Sequence, residues 1–363
     1  MKILFGTLLF LYILSFVSCT NNNKTDPDPD ENYYDKCKNL VRNDGIDMSA
    51  DKYDEYFKHQ WHLASDRYFS INIIPAWEIT KGAGIKVAVL DDGIQKNHED
   101  FENIDVYDVI NGKDNCEPSA KSAFSHGTAV SGIIAARQNK IGIMGVAPEC
   151  DFLFIGDSSH YIYEDAVAIK AFEYAKNQGA KVINCSWGSG NASSIFESQI
   201  KSLYDSAIVV VFACGNDHKN LDWPGIKDES EIQWVIGVSA SNKTGNRANF
   251  SNYGKNIDIM APGDSILSAN LMGRWQIDNN YAISSGTSFS APIVAGVAAL
   301  ILSVNPSLSP SDVRKIIIET AQKTCDSSIS YDSEGFSLYH AYGLIDAGEA
   351  VMRAAGVATR ISE

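Results

Sequence analysis

The chain has 363 residues, 45% hydrophobic and 21% charged, with a formal net charge of −15. Ordinary globular composition excludes a wholly disordered chain, a collagen or a small disulfide-stapled scaffold, and the length predicts two domains or one large α/β domain. The acidic balance excludes a general nucleic-acid binder, which needs basic patches, and seven cysteines without a CxxC pair exclude a zinc cage.

Lys2 precedes the apolar run Ile3 to Val17. That run is shorter than the ~20 residues of a relaxed membrane span and suits a signal peptide over residues 1–18. Its end, Phe16-Val17-Ser18-Cys19, resembles the lipobox of bacterial lipoproteins. The resemblance implies export, lipidation of Cys19 and a place in the cell envelope, at the outer membrane or cell surface. Membrane contact would then run through the lipid alone. Residues 19–53, rich in Asn, Asp and Pro up to Tyr33, bury too little to order themselves and read as an acidic tether or short pro-segment. The early acidic run also resembles surface-export signals of some Gram-negative lipoproteins.

The body alternates strands and helices. Ile85 to Leu90, Val182 to Cys185, Ala207 to Phe212 and Val235 to Val238 are continuous apolar runs, expected as buried parallel strands. Thr128 to Arg137, Asp165 to Asn177 and Gln199 to Ser206 read as helices between them. The order predicts a three-layer α/β fold: a doubly wound, mainly parallel sheet with helices on both faces. Ligands in such folds bind beyond the carboxyl ends of the strands. Ser288 to Ser303 is apolar nearly all round and reads as a buried helix, with Pro292 in its first turns. A further helix starts with Ser309 as N-cap, Pro310 at its first position and Asp312 at its third.

Three motifs follow these elements. Asp91-Asp92-Gly93 ends the first strand; Ser125-His126-Gly127-Thr128 opens a small-residue helix; Ser285-Gly286-Thr287-Ser288 opens the buried helix. An acid after a buried strand is rigidly placed, and a serine at a helix N-terminus has positive potential beside it for an oxyanion. In this order the motifs resemble those of the subtilisin-like serine peptidases. The resemblance covers about Asp54 to Met352, implies one α/β catalytic domain over residues 54–352 and leaves 353–363 as a tail. It implies Ser288 as nucleophile, His126 as general base and acid, and Asp91, the first acid of its motif, as the residue that orients the imidazole. Phe212-Ala213-Cys214-Gly215-Asn216 matches the segment whose asparagine, here Asn216, donates to the oxyanion.

The resemblance extends to the substrate. Ser186, Trp187 and Gly188 match the segment that pairs with an extended peptide, with Trp187 expected to line a subsite. Asp222 matches the pocket base and Asp217 its rim; two carboxylates facing one pocket would favour Lys or Arg. Asp91-Asp92-Gly93-Ile94 with Asn97-His98 resembles the kexin-like branch, which cuts after basic residues, although the acidic stretch of that branch does not follow Ser189. Gln60, Asp100 and Asn139, with the carbonyls of Arg137, Ile141 and Ile143, match a calcium loop; no organic cofactor is expected. Three functions stay open. They are a lipid-anchored monomeric serine endopeptidase acting on peptides or proteins, a dedicated processing peptidase cutting after basic residues, and a catalytically silent peptide-binding protein. The last would need a lost triad member, and none is lost. With Cys19 assigned to lipid, Cys37, Cys116, Cys150, Cys185, Cys214 and Cys325 remain. Cys185 and Cys214 read as free thiols, and Cys116–Cys150 as a possible bridge.

Overall fold

The computed structural model describes residues 52–118, 124–157, 162, 164–272 and 280–357. The signal peptide, Cys19, Cys37, nearly all of the tether and the last residues of the tail lie outside the described residues.

The apolar runs become strands of one parallel sheet. In chain order they are β1 (Lys86–Asp91), β2 (Asp105–Asp108), β3 (Asp151–Gly156), β4 (Val182–Cys185), β5 (Val209–Ala213), β6 (Ile236–Ser241) and β7 (Ile259–Pro262). In space the order is β2-β3-β1-β4-β5-β6-β7, parallel throughout. Side chains alternate between the two faces. Val87 and Val89 of β1, with Val209 and Val211 of β5, enter one core cluster; Ala88, Leu90, Val210 and Phe212 enter the other. Both faces are therefore buried, which is why these strands read as unbroken apolar runs. β1 lies between β3 and β4, where the winding reverses direction, and Asp91 ends it at that switch point.

Helices α1 (Ile73–Trp77), α2 (His126–Ala135), α3 (Asp165–Asn177), α4 (Ser194–Asp205), α5 (Thr287–Val304), α6 (Pro310–Glu319) and α7 (Ala347–Ala354) cover the faces. α3 and α4 pack on the Leu90–Phe212 side, whereas α2, α5, α6 and α7 pack on the other. α2 begins two residues before the predicted start because the Ser125 side chain caps it, accepting the Thr128 N–H at 3.2 Å. α4 also starts early, at a cap from Ser193. α6 starts at its predicted Ser309 cap with Pro310 first, and the Asp312 side chain completes a capping box by bonding back to the Ser309 N–H. α5 is long and apolar enough to cross a membrane, yet it is buried in the core, where its all-round apolar surface meets β4 to β7. An antiparallel hairpin, β8 (Ile266–Ala269) with β9 (Tyr281–Ser284), precedes it.

Two expectations need correction. Cys116, Cys150, Cys185 and Cys214 are buried thiols outside any disulfide, so the Cys116–Cys150 bridge does not exist. Cys325 is the disulfide-bonded cysteine, and its partner lies outside the described residues. The domain also exceeds its predicted limits: Tyr53 packs on Phe57 and Trp77, and α7 continues to Ala354 with its apolar face in the core.

Candidate active site

Asp91 is buried at the carboxyl end of β1. Its Oδ1 accepts the N–H of Asp92 at 2.8 Å, and its two oxygens lie 2.8 and 3.0 Å from His126 Nδ1. His126 is the first residue of α2, and the edge-on Phe289 ring of α5 lies 6.2 Å away, centroid to centroid. Burial disfavours the imidazolium, but the charge and hydrogen bond of Asp91 outweigh it, and Asp92 adds to them. The His126 pKa is raised above its ordinary value. The tautomer with Nδ1–H toward Asp91 leaves Nε2 free to take a proton.

Gly127 makes this approach possible. A Cβ there would stand 2.3 Å from the Gly93 carbonyl oxygen and 2.8 Å from the Phe154 ring. Any side chain would push α2 away from β1 and His126 away from Asp91.

Ser288 is the second residue of α5 and is partly exposed. Its Oγ donates to the Ser186 carbonyl at 3.0 Å, and Ser186 Oγ donates back to the Ser288 carbonyl at 2.9 Å. Pro292 explains the second bond. It has no N–H for the carbonyl four residues earlier, which is that of Ser288, and Ser186 supplies the missing donor. Asn184 Nδ2 in turn holds Ser186 Oγ at 2.9 Å. The Ser288 hydroxyl must turn from Ser186 toward His126 to react, as catalytic hydrogen bonds often form fully only with substrate bound.

Asn216 follows β5. Its Oδ1 accepts from Thr287 N at 2.8 Å and Thr287 Oγ1 at 3.1 Å, which assigns the amide orientation and frees Nδ2 to donate. Gly215 N–H bonds Thr287 Oγ1 at 3.1 Å, so one threonine fixes both residues. Asn252 supports the turn, donating to the Cys214 carbonyl and accepting from Asp217 N and Lys219 N. Thr287 and Asn252 were not anticipated. Thr287 was visible beside Ser288 in its motif; Asn252 carries no local signal.

The substrate-side expectations change more. Trp187 is not a free subsite wall: its Nε1 donates to the Leu90 carbonyl at 2.9 Å, and its ring packs on Phe212 and Phe196. Asp217 is exposed and pairs with Lys219 at 3.1 Å. Asp222 is paired with Lys255, whose Nζ is 3.6 Å away and whose backbone N–H it accepts. Each expected pocket carboxylate therefore already faces a lysine. Gly188 is exposed, and a Cβ on it would lie 3.2 Å from Glu229 Oε2 and 4.0 Å from Asp228 Oδ2. Buried Glu229 accepts from the Ser189 and Gly190 amides, fixing the end of the Ser186–Gly188 segment. Asp228 accepts from Ser230, and burial, reinforced by Glu229 and Asp217, pushes its carboxyl up to about 6.

At the expected calcium loop, Gln60 does not point into the loop. Its amide makes a two-way bond with the Met144 backbone, 2.8 Å in each direction. Asp54 takes that place, accepting from Asn139 N at 3.1 Å and Lys140 N at 2.7 Å. Asp100 accepts from Ile143 N at 3.1 Å and, more weakly, Asn139 Nδ2 at 3.4 Å. Asn139 Oδ1 accepts from Ile141 N, and Arg137 N–H donates to the Asp100 carbonyl. Burial pushes the Asp100 carboxyl up to about 7, with the charge of Asp54 adding to it, and burial raises Asp54 as well.

Residues 82–343 match the peptidase family described as the subtilase family. The chain is 31% identical over 304 residues to a probable subtilase-type serine protease of Deinococcus radiodurans, covering 74% of this chain but only 40% of that protein's length. It is 34% identical over 269 residues to subtilisin DY of Bacillus licheniformis, covering 73% of this chain and 90% of that one. Its fold resembles a protease of Pseudoalteromonas arctica with a TM-score of 0.71 and 29% identity, over 83% of this chain and 98% of the other.

Proposed function

The chain belongs to the subtilase family of serine-type endopeptidases, and on that premise we propose that it hydrolyses peptide bonds in extended peptide or protein substrates through Ser288, His126, Asp91 and Asn216. The observation that carries this reading is the Asp91–His126 contact of 2.8 Å, at a switch point of the sheet and beside the serine-bearing N-terminus of α5. Ser288 Oγ attacks the scissile carbonyl carbon as its proton passes to His126 Nε2. The developing oxyanion accepts hydrogen bonds from Asn216 Nδ2 and the Ser288 N–H, a first-turn amide with no partner within the helix. The C–N bond then breaks as His126 returns the proton to the leaving amine, and water repeats the cycle on the acyl-enzyme. Asp91 remains ionised, holding the tautomer and stabilising the imidazolium.

The family resemblance implies calcium, and the donor set fits it. Asp54 and Asp100 are both buried, burial raises both carboxyls and the charge of Asp54 further disfavours that of Asp100, a pairing that a cation would relieve. Among the described residues no cluster of three His, Cys, Asp or Glu is poised for metal. The ion would therefore be held by Asp54, Asp100, the Asn139 side chain and the carbonyls of Arg137, Ile141 and Ile143, with Gln60 omitted. All are oxygen ligands, which suits calcium, and the ion would supply stability to the loop rather than chemistry. Calcium over chelator is expected to raise Tm by several degrees, since occupancy at a hundred times Kd adds about 2.7 kcal/mol. Asp54→Asn should lose most of that increment and Gln60→Ala little of it. Equal Tm in calcium and chelator would refute the site.

The geometry beside Gly188 favours a refinement: selectivity for a basic residue before the scissile bond, with Asp228 in the role first given to Asp222. Support comes from Asp228 having, among the described residues, no lysine or arginine bond, unlike Asp217 and Asp222. A peptide library read by mass spectrometry, with Ser288→Ala as control, tests function and selectivity together. Cleavage after Lys and Arg is expected, and Asp228→Asn should lower it at least about 30-fold relative to Phe substrates. Equal cleavage after Arg and Phe by the parent chain would refute the refinement. Peptide binding without Ser288-dependent cleavage would instead favour the silent binding protein. Export and lipid anchoring at Cys19 belong to the same proposal on sequence grounds, and the mass of the mature N-terminal peptide would decide them.

A further inference from the structure

Asp92 is the side chain of the Asp91–Gly93 motif for which the chemistry above has no task. It does not reach the imidazole. Instead its Oδ1 accepts the N–H of Gly127 at 3.1 Å. Gly127 directly follows His126, so this bond holds the peptide plane from which the ring projects. Asp92 also donates its own N–H to Asp91 Oδ1 at 2.8 Å, and Asp91 holds His126 Nδ1. Asp91, Asp92, Gly127 and His126 thus close a ring of bonds in which the histidine is gripped by its side chain and its backbone. Two other bonds join the same turn to α2: Ser125 Oγ to the Gly93 carbonyl at 3.1 Å, and Gln95 N to Thr128 Oγ1 at 2.9 Å. The turn would stay attached without Asp92.

We propose that Asp92 is a second positioning carboxylate for His126: it clamps the Gly127 amide to orient the ring and holds a negative charge that stabilises the imidazolium formed when Ser288 gives up its proton. The inference rests on the reading of His126 as the base. An acid at a helix N-terminus is favoured by the exposed amides there, and here it also lies within the field of the histidine. Among the described residues the charged groups acting on His126 are Asp91 and Asp92 at the end of β1; α5 presents the Phe289 ring. Burial, and then the charge of Asp91, push the Asp92 carboxyl up to about 6. The support is therefore present at neutral pH and is withdrawn as pH falls through about 6.

The test is the pH dependence of kcat/KM for the parent chain, Asp92→Asn and Asp92→Glu on one peptide. Asn keeps an acceptor for Gly127 and loses the charge; Glu keeps the charge. For Asp92→Asn the acid limb should move down by about half to one pH unit, because the imidazolium loses a stabilising charge. Its kcat at the optimum should fall about tenfold with KM unchanged. Asp92→Glu should keep the parent limb. An Asp92→Asn limb and kcat matching the parent, or a change confined to KM or to Tm, overturns the proposal. Should Asn not fold, Asp92→Ser removes the same charge and is read in the same way. The midpoint of the His126 ring titration by NMR, in Ser288→Ala, supplies a readout without turnover: loss of the Asp92 charge must lower it. If the parent hydrolyses nothing, the proposed function fails by itself, and the NMR midpoint still decides for or against Asp92.

Discussion

Ser288→Ala is expected to lower kcat by about 10⁶-fold while leaving KM and Tm nearly unchanged, a magnitude borrowed from subtilisin, a relative of this chain. The hydroxyl is the one group that can bond to the acyl carbon, and nothing nearby replaces it. The Ser186 carbonyl that accepts it at 3.0 Å has no proton to give, and Cys185 is buried with its thiol held protonated by burial. His126→Ala should cost about as much, and the double variant no more than either, because the two act as a unit. A double variant whose loss is the product of the single losses would mean that the two side chains work independently.

Asn216→Ala is expected to cost about 10²–10³ in kcat at constant KM, again on the scale of subtilisin's own oxyanion donor. The effect falls on kcat because Nδ2 meets an oxygen that carries full charge only in the transition state. The structure adds a graded companion. Thr287 Oγ1 and N–H both hold Asn216 Oδ1, so Thr287→Val, which keeps the N–H and loses the hydroxyl, should cost about tenfold. Single-turnover kinetics on a peptide amide would show both losses in the acylation step. A loss of Asn216→Ala confined to KM would contradict the assignment.

Sequence patterns exposed the elements whose environment is uniform. β4 and α3 have their predicted limits because a strand buried on both faces and an amphipathic helix each print their period on the chain. The capping box of α6 is equally local. β8 and β9 were missed because serine interrupts each four-residue strand, so neither a continuous apolar run nor a regular alternation marks them. Three motifs in order located Asp91, His126 and Ser288, since each lies immediately after or at the start of a legible element. Side-chain choices made by distant neighbours were not legible. Trp187 is drawn into the core by Phe196 and Phe212 and by the Leu90 carbonyl, a partner 97 residues away. Gln60 lies 84 residues before Met144 and Asp54 86 residues before Lys140; only packing shows that Met144 claims the first and that the amides of the expected calcium loop face the second. Asp222 reads as an open pocket acid until Lys255 is seen beside it.

The proposed hydrolysis depends above all on Ser288 being a nucleophile activated by His126. A fluorophosphonate reagent, which bonds covalently to activated serines, tests it directly when the intact and digested protein is weighed by mass spectrometry. One adduct per chain is expected, on the peptide containing Ser288, formed on the parent and absent from Ser288→Ala and His126→Ala. An adduct on another residue, or an unlabelled parent chain that still cleaves peptides, would contradict it.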